Sequence, residues 1–230
     1  MAKEVFAIET GLSSDPIMNR ALSKLDRLSL ISNSDAHSPQ NFGREANVFE
    51  IDEQKFSFAE MMRVLRERDM VHFLYTIEFY PEEGKYHYDG HAVCKVCLSP
   101  AQTKKNNFLC PKCKKPVTVG VLHRVEDLAD REEEKINPEN FIAHKYIVPL
   151  KEIIAKVFGV GVASKKVAKE YEAMLKNLGS EFYILLKADT KEIADNVSDK
   201  NIALAIANMR SGKVKRIPGY DGVFGSVEVI

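Results

Sequence analysis

The 230-residue chain balances 33 Lys and Arg against 33 Asp and Glu, and 45% of its residues are hydrophobic. That composition supports a packed core in one large domain or two to three small ones. No apolar run approaches membrane-spanning length and Met1-Ala2-Lys3-Glu4 starts no secretory signal, so a soluble, cytoplasmic protein without membrane partners is expected. The charge is unevenly spread: residues 1–92 carry ten Lys/Arg against sixteen Asp/Glu, whereas residues 93–117 carry six Lys and no acid. A basic module beside an acidic one points to contact with a polyanion.

Val5-Phe6-Ala7-Ile8 has no alternating polar face, as expected of a strand covered on both sides in a parallel α/β sheet. It runs into the hydroxyl-rich loop Glu9-Thr10-Gly11-Leu12-Ser13-Ser14. Asp15-Pro16 then opens a helix with Ile17, Met18, Ala21, Leu22 and Leu25 at helical spacing. A second apolar run, Leu28 to Ile31, ends in Ser32-Asn33-Ser34-Asp35-Ala36-His37-Ser38-Pro39. Strand, loop, helix, strand, loop puts both polar loops at carboxyl strand ends, the edge where α/β folds place their chemistry. If the backbone stays extended past Ile31, Asp35 and His37 share one side and converge on a Zn²⁺ or Mn²⁺ ion. The bland alternative is a turn-capping Asp beside an exposed His.

Ala46 to Ile51 suits a strand, Ser57 caps a helix through Arg68, and Val71 to Phe79 suits another strand. Arg44 is either a phosphate clamp or a solvated arginine. His87, Asp89 and His91 alternate along one face and serve either as ligands or as braces for the segment that follows. That segment carries Cys94-x2-Cys97-x12-Cys110-x2-Cys113. Two Cys-x-x-Cys knuckles complete a closed tetrahedral S₄ shell, so a structural zinc is expected, in preference to disulfides or redox-cycling thiols. Pro116 to His123 reads as a strand and Arg124 to Glu134 as a short acidic helix.

Beyond Pro149 the chain is expected to be mainly helical. Leu150 to Phe158, the turn Gly159-Val160-Gly161 and a helix capped by Ser164 resemble a helix-hairpin-helix. In that motif backbone N–H groups meet a DNA phosphate, a setting that suits Lys165 and Lys166 at the helix start; a plain helical corner is the alternative. Glu181 to Lys187 is ambiguous between strand and helix, and Ser198 is expected to cap Asp199 to Arg210. The tail from Lys213 to Gly225 mixes cations, aromatics and glycines, so Tyr220 can stack a base, or the tail is a tight hairpin.

Three stretches together carry a resemblance: Glu9-Thr10-Gly11-Leu12-Ser13-Ser14-Asp15-Pro16; Ser32 to Pro39 with Gly43-Arg44-Glu45-Ala46; and Pro218-Gly219-Tyr220-Asp221-Gly222. With the cysteine spacing they resemble the endonuclease Q proteins, built on a polymerase and histidinol phosphatase (PHP) barrel, a four-cysteine module and a helical C-terminal part. The resemblance implies an α/β fold: the C-terminal part of a PHP-type distorted barrel at 1–80, a zinc ribbon at 81–125 and a mainly helical region at 126–230. It implies a metal-dependent hydrolase that nicks DNA 5′ of deaminated bases or abasic sites, with Asp35 and His37 as metal ligands for Mn, Mg or Zn. Glu9 to Ser14 would border the pocket for an extruded base, and Arg44 would approach the backbone phosphate. No histidine precedes His37, where a PHP site opens with a His-x-His pair. The expectation is therefore a C-terminal portion, inactive until joined by a separate N-terminal PHP half. A non-catalytic zinc-containing nucleic-acid-binding module is the alternative.

Overall fold

The computed structural model describes residues 4–229; Met1 to Lys3 and Ile230 lie outside them. The described residues divide into two compact units, those up to residue 145 with 217–226, and residues 146–216 with those from 227 onward.

The first unit opens with β1 (Ala7–Glu9) and β2 (Ser29–Ile31), paired in parallel with Ile8 opposite Leu30. The crossover is short: α1 (Pro16–Arg20) has its N-cap at Asp15, whose carboxylate accepts from the Met18 N–H at 2.7 Å. The apolar spacing through Leu25 continues as a separate 3₁₀ turn, Ser23–Leu25, because the Arg20 side chain folds back beneath the helix end. Its guanidinium donates to the carbonyls of Leu25 (2.5 Å) and Leu28 (2.9 Å) and ends the helix there. β1 is only half-covered, whereas β2 is buried at Ser29 and Leu30.

A three-stranded sheet follows, ordered β3 (Ala46–Phe49), β4 (Phe73–Glu78), β7 (Ala143–Tyr146), with β3 antiparallel to β4. Between β3 and β4 lies α2 (Phe58–Glu67), capped by the Ser57 hydroxyl and ended by Arg68 in the left-handed region at φ 55°. Val64, Leu65 and Phe73 form the local core, with Phe6, Ile31, Phe49 and Met62 packed against it. The expected barrel wall is thus present as small separate sheets; among the described residues no closed barrel forms.

The cysteine segment lies in the same unit. β5 (Asp89–His91) and β6 (Val96–Leu98) form an antiparallel pair, followed by α3 (Pro100–Lys105), which Ser99 caps reciprocally with Gln102. The run expected as a strand from Pro116 to His123 turns helical at its second half: Gly120 is the N-cap of α4 (Val121–Leu128). Gly120 has no room for a side chain, since a Cβ would lie 2.4 Å from the Tyr88 carbonyl oxygen. The buried Asp89 holds this corner by accepting from Gly120 N–H (2.7 Å) and pairing with His123 Nδ1 (2.5 Å).

The second unit is helical: α5 (Leu150–Phe158), α6 (Lys165–Leu178), α7 (Glu181–Leu186), α8 (Thr190–Asp195) and α9 (Asn201–Arg210). Its core is Leu150, Ile153, Ile154, Val167, Met174, Ile184, Leu185, Ile202 and Ile206, each fully buried. Glu181 to Leu186 resolves as helix, with Ser180 as its cap. Ser198 does not cap α9; it bonds instead to the Glu170 carboxylate, and the helix starts later, at Asn201. At the far end of α9, the Arg210 guanidinium collects the carbonyls of Ile184 (2.7 Å), Leu185 (2.9 Å) and Ala188 (2.8 Å), closing the C-terminus of α7. Among the described residues no helix is long and apolar enough to cross a membrane.

Removing that cap leaves three carbonyls without their charged donor. Arg210→Ala is expected to lower stability by about 2 kcal/mol, read as a lower denaturant midpoint with an unchanged slope. An unchanged midpoint would show the cap to be dispensable.

Candidate functional site

One group of potential metal ligands is assembled among the described residues. The donor atoms of His91, Cys94, Cys110 and Cys113 all lie within 4.8 Å of one another. Two sharp turns make this possible, with Lys95 at φ 52° after Cys94 and Lys114 at φ 62° after Cys113. The second knuckle is closed by Cys110 N–H to the Lys115 carbonyl (2.7 Å) and Lys114 N–H to the Cys110 carbonyl (2.9 Å). The first is tied to it by Lys112 Nζ donating to the Cys94 carbonyl (2.9 Å). Cys110 is fully buried with Val96, Leu98 and Val117 in a small core. Hydrogen bonds from neighbouring thiols and burial push the Cys94 thiol up to about 11. Three crowded sulfurs and an imidazole are a donor set suited to a tetrahedral divalent ion.

Cys97, expected as the fourth ligand, stands outside this group. The reason is strand alternation: Val96 and Leu98 of β6 point into the small core at 7% exposure each, which turns Cys97 outward. Its Sγ lies 3.9 Å from the Pro218 carbonyl. His91 ends β5 opposite Val96 and lies within the cluster as its fourth potential donor. The alternation of His87, Asp89 and His91 had marked it, but the cysteine spacing was the louder signal. The other two are braces: His87 Nδ1 donates to the Ser13 carbonyl at 3.1 Å, and Asp89 holds His123.

Asp35 and His37 both lie exposed on the loop after β2. Asp35 has φ 41°, so the backbone is no longer extended and the side chains do not alternate as a strand would require. Neither belongs to a group of three potential ligands among the described residues. The loop's root is firm: Ser32 N–H donates to Asn47 Oδ1 (3.0 Å), Asn47 Nδ2 donates to the Ser32 carbonyl (2.8 Å), and the Ser32 hydroxyl donates to the Ile77 carbonyl (2.8 Å).

The loop from Glu9 to Ser14 meets this root at a buried acidic pair. Glu78 is fully buried and accepts from the hydroxyls of Thr76 (2.5 Å) and Thr10 (3.0 Å); Glu45 is 3% exposed and accepts from Phe79 N–H (3.3 Å). Burial pushes Glu45 up to about 8, with Glu78 and Glu9 adding to it. Burial likewise raises Glu78 to about 7, against the hydroxyl hydrogen bonds. Thr10 is thus a clip. Ser14 is turned inward too, donating to the Thr10 carbonyl and accepting from Asn19. Glu9 is exposed, and Gly11 at φ 71° has open space where a Cβ would sit. Ser13 lies against Gly84, where a Cβ would come within 2.2 Å of its hydroxyl. The Arg44 guanidinium lies 5.5 Å from the Phe79 ring centroid. An apolar cavity of about 230 Å³, bounded by Ile17, Arg20, Leu30, Phe141 and His144, contains none of the expected site residues.

Tyr220 faces inward onto the β5–β6 pair: a Cβ on Gly90 would lie 2.3 Å from its ring. In the helical unit, Gly159 ends α5 at φ 64°, and both Gly159 and Gly161 have open space around the Cβ position. Lys165 is exposed, whereas Lys166 rests its ammonium 3.9 Å from the Phe158 ring centroid.

Residues 149–213 match the family model described as the MJ0043 C-terminal domain. The chain is 33% identical to protein MJ0043 of Methanocaldococcus jannaschii over 226 residues, covering 96% of this chain and 28% of that one. It is 30% identical to YqxK of Bacillus subtilis over 223 residues, covering 96% of this chain and 52% of the other. Among solved structures it is similar to the lesion-specific endonuclease PfuEndoQ from Pyrococcus furiosus, with TM-score 0.87 at 30% identity, over 99% of this chain and 55% of that chain. It is also similar to endonuclease Q in complex with a 27-mer duplex bearing an abasic lesion at the active site, with TM-score 0.84 at 30% identity, over 100% of this chain and 56% of the other. The chain thus spans about a quarter to about half the length of the proteins it matches.

The acidic pair has a thermodynamic signature. Both carboxyls hold their protons more tightly folded than unfolded, so stability falls as pH rises from about 4.5 to about 8 and levels off above. Glu45→Gln is expected to flatten that slope, raising Tm relative to the parent at pH 8 more than at pH 5. A parallel pair of Tm profiles would refute it.

Proposed function

We propose that this chain is the DNA-contacting part of a lesion-directed endonuclease of the endonuclease Q kind. The observation that carries this is similarity over essentially the whole chain to two endonuclease Q structures, one of them holding duplex DNA with an abasic lesion at its active site.

In this reading Asp35 and His37 are two ligands of a catalytic centre for Mn²⁺, Mg²⁺ or Zn²⁺, whose other ligands belong to an N-terminal PHP half. Their exposure on a loop with a firm root leaves them accessible to such a partner. A metal there would polarise a phosphate and activate water. Gly11 and Ser13 border the pocket for a flipped base, Arg44 steers the backbone phosphate, and nicking falls 5′ of the lesion. Gly159, Gly161 and Lys165 present open backbone and charge to the duplex beyond. The His91–Cys94–Cys110–Cys113 centre takes zinc and is structural, since four protein donors leave no open position.

A second reading is a nucleic-acid-binding module without catalysis, favoured by Asp35 and His37 standing apart from any cluster of three ligands. The two separate in one assay. The chain alone is expected to bind DNA with affinity falling roughly ten-fold or more between about 50 and about 200 mM salt, without nicking. Adding the N-terminal half of an endonuclease Q with Mn²⁺ restores nicking at uracil, hypoxanthine or abasic sites, and Asp35→Ala reduces it to background. Binding with no nicking in any such mixture would leave the module reading.

For the metal, one equivalent of zinc by elemental analysis is expected for the parent chain and for Cys97→Ser, and a loss of most of it for His91→Ala and Cys110→Ser. Retention by His91→Ala together with loss by Cys97→Ser would return the site to four cysteines.

A further inference from the structure

Large aromatic surface normally finds cover in a folded protein; several rings of the first unit do not, and two of these flank a single lysine. Phe224 is 74% exposed and Tyr86 45%, with Val223 beside them at 41%. The Lys85 ammonium lies 5.5 Å from the Tyr86 ring centroid and 5.8 Å from that of Phe224. The Tyr86 hydroxyl is 3.9 Å from where a Cβ on Gly222 would sit, so the two segments meet at this patch.

The backbone beneath the rings is fixed. Gly219 N–H donates to the Glu82 carbonyl (2.7 Å), Gly222 N–H to the Lys85 carbonyl (2.9 Å) and Gly225 N–H to the Glu83 carbonyl (3.1 Å). At Gly219 and Gly225 a Cβ would come within 2.5 Å of the Gly84 carbonyl and 2.1 Å of the Glu82 carbonyl, so the strands of this loop lie closer than any side chain permits. Asp221 anchors the tip by accepting from Ala92 N–H and the Thr118 hydroxyl, each at 2.6 Å. With Tyr220 committed inward to Gly90, the loop has one aromatic spent on structure and one held outward on a frame that cannot collapse to bury it.

The chemistry of the patch narrows what covers it. A cation between two flat apolar faces suits a planar ring carrying a nearby negative charge. The adjoining metal-centre segment, residues 93–117, adds six lysines and no acid, so the neighbouring surface attracts polyanions. An unstacked base with its phosphate has both properties. Resting on the DNA reading above, we infer that Tyr86, Lys85 and Phe224 form a stacking platform for an unpaired nucleotide, a contact with single-stranded or lesion-opened DNA made by residues outside the loops after β1 and β2, on a segment that packs against the first of them.

The test compares a short single strand containing 2-aminopurine with the same sequence as an intact duplex, titrated with the full chain at fixed salt. The parent chain is expected to bind the single strand and change its 2-aminopurine emission. Phe224→Ala weakens single-strand binding about five-fold or more, Phe224→Tyr restores it, and duplex affinity shifts less than about two-fold. Because the Phe224 ring is mostly in solvent, unchanged circular dichroism and Tm are expected for both variants. Equal single-strand affinity for parent and Phe224→Ala overturns the platform while leaving DNA binding intact. A parent chain that binds neither DNA removes the functional reading and the platform with it.

Discussion

Glu78 is the point on which the first unit turns. Its carboxylate sits at the end of β4, takes the Thr10 hydroxyl from the end of β1 and the Thr76 hydroxyl from its own strand, and lies fully buried. Two residues of the same neighbourhood extend the tie: the Ser32 hydroxyl at the end of β2 reaches the Ile77 carbonyl, and the Asn47 side-chain amide pairs with the Ser32 backbone as a further strand would. Strand ends from two separate sheets are therefore held together by polar groups in a place where water is excluded. Such a network is costly if half made and specific if complete, because each hydroxyl lost leaves a buried acceptor exposed to nothing. The loops after β1 and β2 start from this knot, so their roots are fixed even though Asp35 and His37 themselves are exposed.

The local signals in the chain were legible where one residue's chemistry decides the backbone. Ser57 and Ser164 cap their helices through the expected N–H groups, Asp15-Pro16 opens α1, and the parallel β1–β2 pair follows from the two apolar runs with a helix between them. Signals failed where a tertiary partner outbid the local one. Leu22 and Leu25 keep helical spacing, yet the Arg20 guanidinium captures the carbonyls of Leu25 and Leu28 and stops α1 early. Val119 to Leu122 reads as an apolar strand, but Gly120 pressed against the Tyr88 carbonyl and Asp89 accepting its N–H make it a helix start. Ser198 is an ordinary cap by type and is diverted to Glu170.

The site divides the same way. The Cys-x-x-Cys spacing marks three of the four clustered side chains, and the fourth is not legible in it because spacing says nothing about which face of a strand a residue takes. Only the burial of Val96 and Leu98 on either side reveals that Cys97 points away and that His91, across the ladder, points in. Likewise an i, i+2 pair converges only on extended backbone, and a left-handed Asp35 cannot be read from the residues around it. The Glu45–Glu78 pair was invisible for a related reason: a glutamate in an apolar strand carries no mark of whether it faces solvent or another carboxyl.

These features suit a protein that handles a polyanion without being basic throughout. Two carboxyls of the first unit, Glu45 and Glu78, are drawn inward, where burial raises both toward neutrality, so the strand-end surface is less negative than the residue count implies. Positive charge without any acid is concentrated on the cysteine segment, where an ion held by the clustered donors would supply the rigidity that its short strands lack. On the proposed DNA reading, phosphate attraction and base discrimination fall to different elements. Under the proposed function, lysines on the small cysteine module would supply the sequence-independent pull, while the loops rooted at the Glu78 knot would hold a fixed shape against which a single displaced nucleotide is measured. Weakening the knot should then blur selection of the nucleotide while leaving the salt-dependent attraction intact, because the two depend on different contacts.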